Sequence, residues 1–501
     1  MSRRLSSVRS AVVALVAVVI AASGVAVTMR PASADVVPMS ANTDAALTAL
    51  NNAFLVSNGN QRYYKESLGK TDKDYFWRQA LDIQAVEDVY ESTGRAETRD
   101  LIGRLLDTFL QQNQGNGGLY DWNWNQFNDD LLWAGLAFVR GYRITGNATY
   151  LSQAQYAFNR AYDRGWDTAL GGGLWWSIEK TKKSALSNSP AVILGSLIYE
   201  AGGNRAYLDK ARAIYDWTWS RLLDRNTGGV HEQMNADGSL EPGQTVYSAG
   251  AFVGAAQAMY RDYRGQSLFD DAKRTTDFVI RERTTNGIMT NGQREGTWQS
   301  EFARGMGEFV RQNNLWAQYY TFMKRNADAA WNVRRTDLNL TWNRWDAQTP
   351  RDDTRAVETI GAVIMQAVTP ASIPSTNTIS STWNGRCVDV PNVNYSDGQP
   401  LDVWSCNGGG NQKWESVNGA FRTQNNMCLD VAGGSTADGA VIQIATCSGG
   451  AAQQFVLDAA GQLVNPRSNK CVDIKAWTDR DGAGLDLWTC NGGANQKWRR
   501  G

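Results

Sequence analysis

Histidine is nearly absent from this chain, with His231 alone among 501 residues, and no cysteine occurs before Cys387. No Cys-x-x-Cys spacing exists and no second histidine can complete a ligand set, so neither a metal nor a cofactor is expected. No Gly-x-Ser-x-Gly elbow is present, which removes the common serine-hydrolase arrangement. Net charge is zero and the basic residues are scattered, so the clustered positive face of a nucleic-acid binder is missing. Beyond the apolar run Ala11–Val27 no segment is long enough to cross a bilayer, and the mature chain is expected to work away from the membrane.

That N-terminal run follows Arg3, Arg4 and Arg9 and precedes Ala32-Ser33-Ala34, the pattern of an export signal spanning 1–34. Secretion is the expectation, and Sec and twin-arginine routes both remain open. All six cysteines lie in three copies of one pattern: Cys387-Val-Asp-Val, Cys428-Leu-Asp-Val and Cys471-Val-Asp-Ile, each nineteen residues before Cys406, Cys447 and Cys490. Six cysteines allow fifteen pairings, but a threefold repeat in an oxidising compartment favours one bridge within each copy. Twenty Trp and eighteen Tyr are the unusual component; a soluble chain can bury many of them, and an excess beyond what cores need often marks surfaces that stack flat ligands, sugar rings among them.

Residues 368–378 are rich in Pro, Ser and Thr without helical periodicity and read as a linker between two modules. The first, 35–367, divides into twelve helical stretches starting near residues 41, 72, 97, 129, 147, 185, 204, 245, 266, 298, 315 and 353, separated by breaks such as Thr145-Gly146-Asn147. Six helical pairs suggest an all-α (α/α)6 toroid; a two-layer helical solenoid has the same periodicity, and periodicity does not choose between them. The second module, 379–501, carries three copies 41 and 43 residues apart, with the short strand-like runs of an all-β β-trefoil. Its copies close on Trp414, Phe455 and Trp498, which read as plugs of a shared core.

In the helical module the densest chemistry is Phe127-Asn128-Asp129-Asp130-Leu131-Leu132-Trp133, preceded by Tyr120-Asp121-Trp122-Asn123-Trp124. Two acids in a first helical turn are well explained by capping and the helix dipole, and on these residues alone capping is the better account. The catalytic alternative is a carboxyl pair in a partly dry cleft, one charged and one holding a proton.

Three further segments give that pair a context. The run Gly165-Trp166-Asp167-Thr168-Ala169-Leu170-Gly171-Gly172-Gly173-Leu174-Trp175-Trp176-Ser177, followed by Lys183-Ser184-Ala185-Leu186-Ser187-Asn188, resembles the Gly-Gly-x-Trp-Trp and Asn-rich segment of glycoside hydrolase family 76, the family of endo-α-1,6-mannanases. Asp129, Asp130 and Trp133 are similar to its paired aspartates with a Trp three residues on, and Trp77 to the aromatic start of its second helix. Trp298-Gln299-Ser300-Glu301-Phe302-Ala303-Arg304 resembles a late segment of the family with its Lys-Gly-Ile part replaced. The resemblance implies retaining hydrolysis of α-1,6-mannan, with Asp129 as nucleophile and Asp130 as acid/base. It also implies Trp124, Trp175 and Trp176 as stacking platforms, Asn188 and Arg304 bonding sugar hydroxyls, and Trp133 in the core. Epimerases on the same toroid use paired histidines, which a lone His231 in a turn does not supply.

The second module resembles ricin-type β-trefoil lectins over 379–499. The resemblance implies sugar sites at Asp389, Asp402, Trp404, Asn411 and Gln412 in the first lobe and Asp473, Asp486, Trp488, Asn495 and Gln496 in the third. The middle lobe keeps Asp430, Gln443 and Gln453, but Ala445 replaces the aromatic and Ala452 the Asn, so it is expected to be silent. The whole reads as a secreted, monomeric endo-α-1,6-mannanase held on fungal or bacterial polysaccharide by a bivalent lectin. A carbohydrate-binding protein without activity and a mannan transglycosylase are the alternatives.

Overall fold

The computed structural model describes residue 40 and residues 42–500, apart from 119–120, 264, 291–297, 314, 374–377, 408, 418 and 459. The expected export signal lies outside the described residues. Twelve α-helices are present among them: α1 Thr43–Phe54, α2 Phe76–Thr93, α3 Ala96–Gln112, α4 Asn128–Thr145, α5 Ala148–Gly165, α6 Ala185–Gly202, α7 Arg205–Arg221, α8 Val246–Tyr263, α9 Gln266–Glu282, α10 Trp298–Gln312, α11 Trp316–Asn332 and α12 Ala356–Val368.

Their burial sorts them into two layers. Along α8 every residue from Val246 to Tyr260 is buried, and along α12 every residue from Ala356 to Ala367. In contrast, α9 buries one stripe, including Leu268, Ala272, Thr276 and Val279. A helix apolar all round needs neighbours on every side, whereas a striped helix needs one. The even-numbered helices form the inner layer and pack in the order α2, α4, α6, α8, α10, α12 and back to α2. That closure decides for the toroid, since a solenoid would leave its end helices apart. Close approach in the ring needs bare backbone at Gly250, where an added Cβ would come within 2.2 Å of Phe302 N across the α8–α10 contact.

Short turns return α2, α4, α6, α8 and α10 to the outer helices that follow them. Gly146 and Gly203 take left-handed conformations that end α4 and α6, and Asn147 and Asn204 then cap α5 and α7 by accepting from Thr149 N and Ala206 N. The long connections (113–127, 166–184, 222–245, 333–355) therefore all gather at the N-terminal ends of the inner helices. His231 sits in one of them, its Nδ1 3.0 Å from the Glu241 carbonyl, a hydrogen-bonded turn residue.

From Ile379 the chain turns to short antiparallel strands that build one curled sheet. Disulfides join Cys387–Cys406, Cys428–Cys447 and Cys471–Cys490, one within each repeat. Trp414, Phe455 and Trp498 fill the shared core with Val388, Leu429 and Val472, and the Trp414 and Trp498 indoles donate to the Val388 and Val472 carbonyls at 3.0 Å. No repeat could bury this cluster by itself, which is why the three stand or fall together.

Candidate active site

The N-terminus of α4 is fixed before its acids are used. Asn128 is fully buried: its backbone N–H donates to the Trp176 carbonyl at 2.8 Å, its amide to the Trp175 carbonyl at 2.7 Å, and its Oδ1 accepts from Arg164 Nε at 2.6 Å. Arg164, at the end of α5, also donates to the carbonyls of Asn125 and Phe127. The glycine-rich segment and the loop before α4 are thereby pinned against one another, and Asp129 and Asp130 start their helix in a fixed place.

Both acids are partly buried. Asp129 Oδ2 accepts from the Trp176 indole at 2.8 Å and Oδ1 from the Asp130 backbone N–H at 3.0 Å. Asp130 Oδ2 accepts from Asn125 Nδ2 at 2.9 Å. Burial, then the charge of Asp130, lifts Asp129 well above the ordinary carboxyl range, against the hydrogen bonds it accepts. Burial lifts Asp130 to about 6, opposed by Asn125 and by the Arg164 charge. The two carboxyls therefore hold one proton between them near neutrality. Part of the lift on Asp129 is the charge of its neighbour and disappears when Asp130 carries that proton.

Aromatic rings adjoin the pair through Trp176. Trp124 is 49 % exposed, and Phe127 packs on Trp176 with ring centroids 4.8 Å apart. Trp176 is half-buried, with Lys182 Nζ 4.4 Å from its ring centroid. Trp133 is buried in the core, stacked on Tyr247.

Three expected ligands have other work. Trp175 is buried, its indole donating to Asp167 Oδ2 at 2.6 Å and its face covered by Lys183 Nζ at 4.6 Å, so it offers no open platform. Asn188 is fully buried and spends its amide on Leu174 N, Leu174 O and Ser184 O at 2.7–3.0 Å; it staples the glycine-rich segment to α6 and does not reach a sugar. Arg304 points into the ring, donating to Asp88 Oδ2 at 2.9 Å and Glu301 Oε1 at 2.6 Å, within an ion network that includes Arg140. Paired with two carboxylates in that network, the guanidinium is held away from the position expected for a sugar ligand.

Asn125 and Asp167 were not singled out from the sequence. Asn125 Oδ1 also accepts from Phe127 N, an Asx turn whose Asn-x-Phe spacing was a readable cue. Asp167 anchors Trp175 and the fully buried Lys183 Nζ; these hydrogen bonds outweigh burial and hold its carboxyl well below the usual range.

In the trefoil, Trp404 and Trp488 are 44 % and 43 % exposed, and each faces the first cysteine of its repeat across the strand pair, where the middle repeat has Ala445. Asp389 Oδ2 accepts from Asn411 at 2.7 Å, and Asp473 Oδ2 from Asn495 at 2.8 Å and Gln496 at 2.9 Å. Gln412 donates to the Ser405 carbonyl at 3.1 Å and accepts from Asn407 N at 2.9 Å, which shapes the turn beside the site. Asp402 and Asp486 stand opposite Asp389 and Asp473, and each has a buried Oδ1 without a hydrogen-bond partner. Burial, then the facing carboxylate, raises Asp402 to about 7 and Asp486 to about 6. The middle repeat has Gln443 at this register, donating to Asp430 Oδ1 at 3.0 Å.

A closed helical toroid opening on paired acids, joined to a threefold repeat with exposed indoles, is the build of a glycoside hydrolase with an appended lectin module. The chain belongs to glycosyl hydrolase family 76, which it matches over residues 41–377, and residues 375–498 match the ricin-type beta-trefoil lectin domain. A Schizosaccharomyces pombe (strain 972) protein, provisionally named a mannan endo-1,6-alpha-mannosidase, is 26 % identical over 240 residues, 44 % of this chain and 53 % of that one. The mannan endo-1,6-alpha-mannosidase of Eremothecium gossypii is 26 % identical over 171 residues, 31 % of this chain and 37 % of its own. The chain thus spans about half the length of these curated relatives, or less. Among solved structures, an alpha-1,6-mannanase from Salegentibacter sp. HEL1_6 superimposes with a TM-score of 0.59 at 24 % identity, over 65 % of this chain and 97 % of that one. An inactive variant of that enzyme, with two adjacent aspartates replaced by asparagine and α-1,6-mannotriose bound, gives 0.60 at 23 % identity, over 66 % and 98 %. At these identities the likeness is one of fold.

Proposed function

We propose that this protein is a secreted endo-α-1,6-mannanase that cleaves with retention and is held on its polymer by the outer lobes of the trefoil. The observation that carries this reading is the buried, hydrogen-bonded carboxyl pair at the start of α4, both members raised by burial. Asp129 has both oxygens oriented by N–H donors, a setting that favours its ionised form, and it lies in the first turn of a helix whose dipole does the same. Asp130 has only one oxygen held and its carboxyl is raised by burial to about 6; Asp129 is lifted further, by burial and then by the Asp130 charge, so the acid/base role requires the shared proton to pass to Asp130, which removes that charge from beside Asp129. In this assignment Asp129 attacks the anomeric carbon while Asp130 protonates the departing oxygen. Asp130 then takes a proton from the water that hydrolyses the glycosyl ester, restoring both groups. Trp124 and Trp176 flank the sugar path. The mannanases among the relatives, and the inactive paired-aspartate variant among them, support the substrate class and the role of adjacent acids.

The reading is tested on linear α-1,6-mannan by following reducing ends and the anomeric proton of the first product by NMR. Wild-type protein is expected to release shorter chains as the α-anomer, and Asp129→Ala or Asp130→Ala to lower kcat by roughly a thousandfold or more. Product chains longer than the substrate would identify a transglycosylase. Binding without cleavage would leave a carbohydrate-binding protein. Export and a monomeric state are checked by recovering the full-activity protein from culture fluid with three intact disulfides and a one-chain mass.

A further inference from the structure

Each trefoil repeat follows its Asp strand with a tight 3-10 turn, Pro391–Val393, Ala432–Gly434 and Lys475–Trp477. The last two residues of every turn are left-handed: Asn392 and Val393 at φ 55° and 56°, Gly433 and Gly434 at 60° and 61°, Ala476 and Trp477 at 55° and 54°. Glycine adopts this conformation freely, Asn tolerates it, and Val, Ala and Trp are strained in it. The repeat that has lost its exposed indole and its Asn keeps glycine at both positions. The two repeats that retain them hold an apolar side chain in the strained place, 58 % exposed at Val393 and 51 % at Trp477. Strain maintained to display a large apolar group to solvent, in step with an intact site, is what a ligand wall requires.

Trp477 is also built into the third site. It follows Ile474, whose carbonyl accepts from Asn495, and its Cζ2 would lie 3.0 Å from a Cβ at Gly493, the residue opening the turn that carries Asn495 and Gln496. Trp383 of the first repeat backs it edge-on, with ring centroids 5.4 Å apart at 79°. We propose that Trp477 is a second sugar platform, so that the third lobe takes a chain of at least two contiguous pyranoses. The first lobe, with Val393 at this position, grips one ring. The inference rests on the lectin reading of the outer lobes and adds to it a difference between them.

The test uses the full chain labelled with 5-fluorotryptophan and carrying Asp129→Asn and Asp130→Asn, so that nothing is cleaved. Fluorine resonances of Trp404, Trp477 and Trp488 are followed while mannose, galactose and the linear trisaccharide of each are added. The sugar that moves Trp488 is expected to move Trp477 only as the trisaccharide, with about tenfold tighter binding than the single ring at the third lobe and no such gain at Trp404. Trp477→Gly is expected to erase that gain without lowering the melting temperature, because glycine relieves the backbone while the Trp383 contact is lost. A Trp477 resonance that stays still while Trp488 moves, or a Trp477→Gly protein that keeps the gain, overturns the inference. If no sugar moves Trp488, the lectin reading of that lobe fails and this inference falls with it.

Discussion

Asp129 and Asp130 differ by one position in the chain and by a good deal in surroundings. The first is oriented through both oxygens, the second through one. Removing the Trp176 donor by Trp176→Phe deprives ionised Asp129 of a hydrogen bond and raises its pKa. The acidic limb of the kcat/KM profile is expected to move to higher pH, with kcat down roughly tenfold to a hundredfold. Stability carries a second signature. Both carboxyls are raised, so the folded protein keeps protons that the unfolded chain has released, and stability declines as pH climbs from about 4 through the raised values. Asparagine does not ionise. Asp130→Asn should therefore match wild type near pH 4 and exceed it above pH 7, by roughly 1–2 kcal/mol in chemical denaturation.

At the scale of elements, helix starts were legible because their signals are local. The expected start at 185 coincides with that of α6, and the expected 245 and 315 precede α8 and α11 by one residue, since capping residues and Gly breaks are read within one turn of chain. Side-chain destination is not local. Asn188 and Arg304 sit where a resemblance to sugar-binding segments put them in sequence, yet whether a helix residue faces the rim or the ring interior depends on the whole circle of neighbours. Asn125 escaped notice for the converse reason: its importance lies in a hydrogen bond to Asp130 that exists only once the loop before α4 folds back. The left-handed turn at Ala476–Trp477 is likewise invisible in residues that favour other conformations. Asn188→Ala leaves the Leu174 backbone without its buried partner and should cost about 2–3 kcal/mol of stability, while KM of the folded protein stays within about twofold.

In the proposed reading the whole molecule joins a catalytic site to two sugar sites on one trefoil. Each lobe can be weak, because a polymer bound at one point is presented to the next at high effective concentration. The middle lobe, expected to be silent, offers a test by gain. It keeps Asp430 bonded to Gln443 in the register of the active lobes and lacks the indole and the Asn. Ala445→Trp together with Ala452→Asn is expected to add a third site, tightening retention on insoluble mannan about threefold or more in pull-down, with kcat on soluble oligosaccharides unchanged.

The shared proton at the start of α4 is tested most directly by following the 13Cγ resonances of Asp129 and Asp130 across pH in the intact enzyme, assigned through Asp129→Asn and Asp130→Asn. One group should remain protonated to about pH 6 or above while the other is already ionised, and Asp130→Asn should bring Asp129 down. Two carboxyls titrating independently near pH 4 and indifferent to each other's replacement would contradict the account.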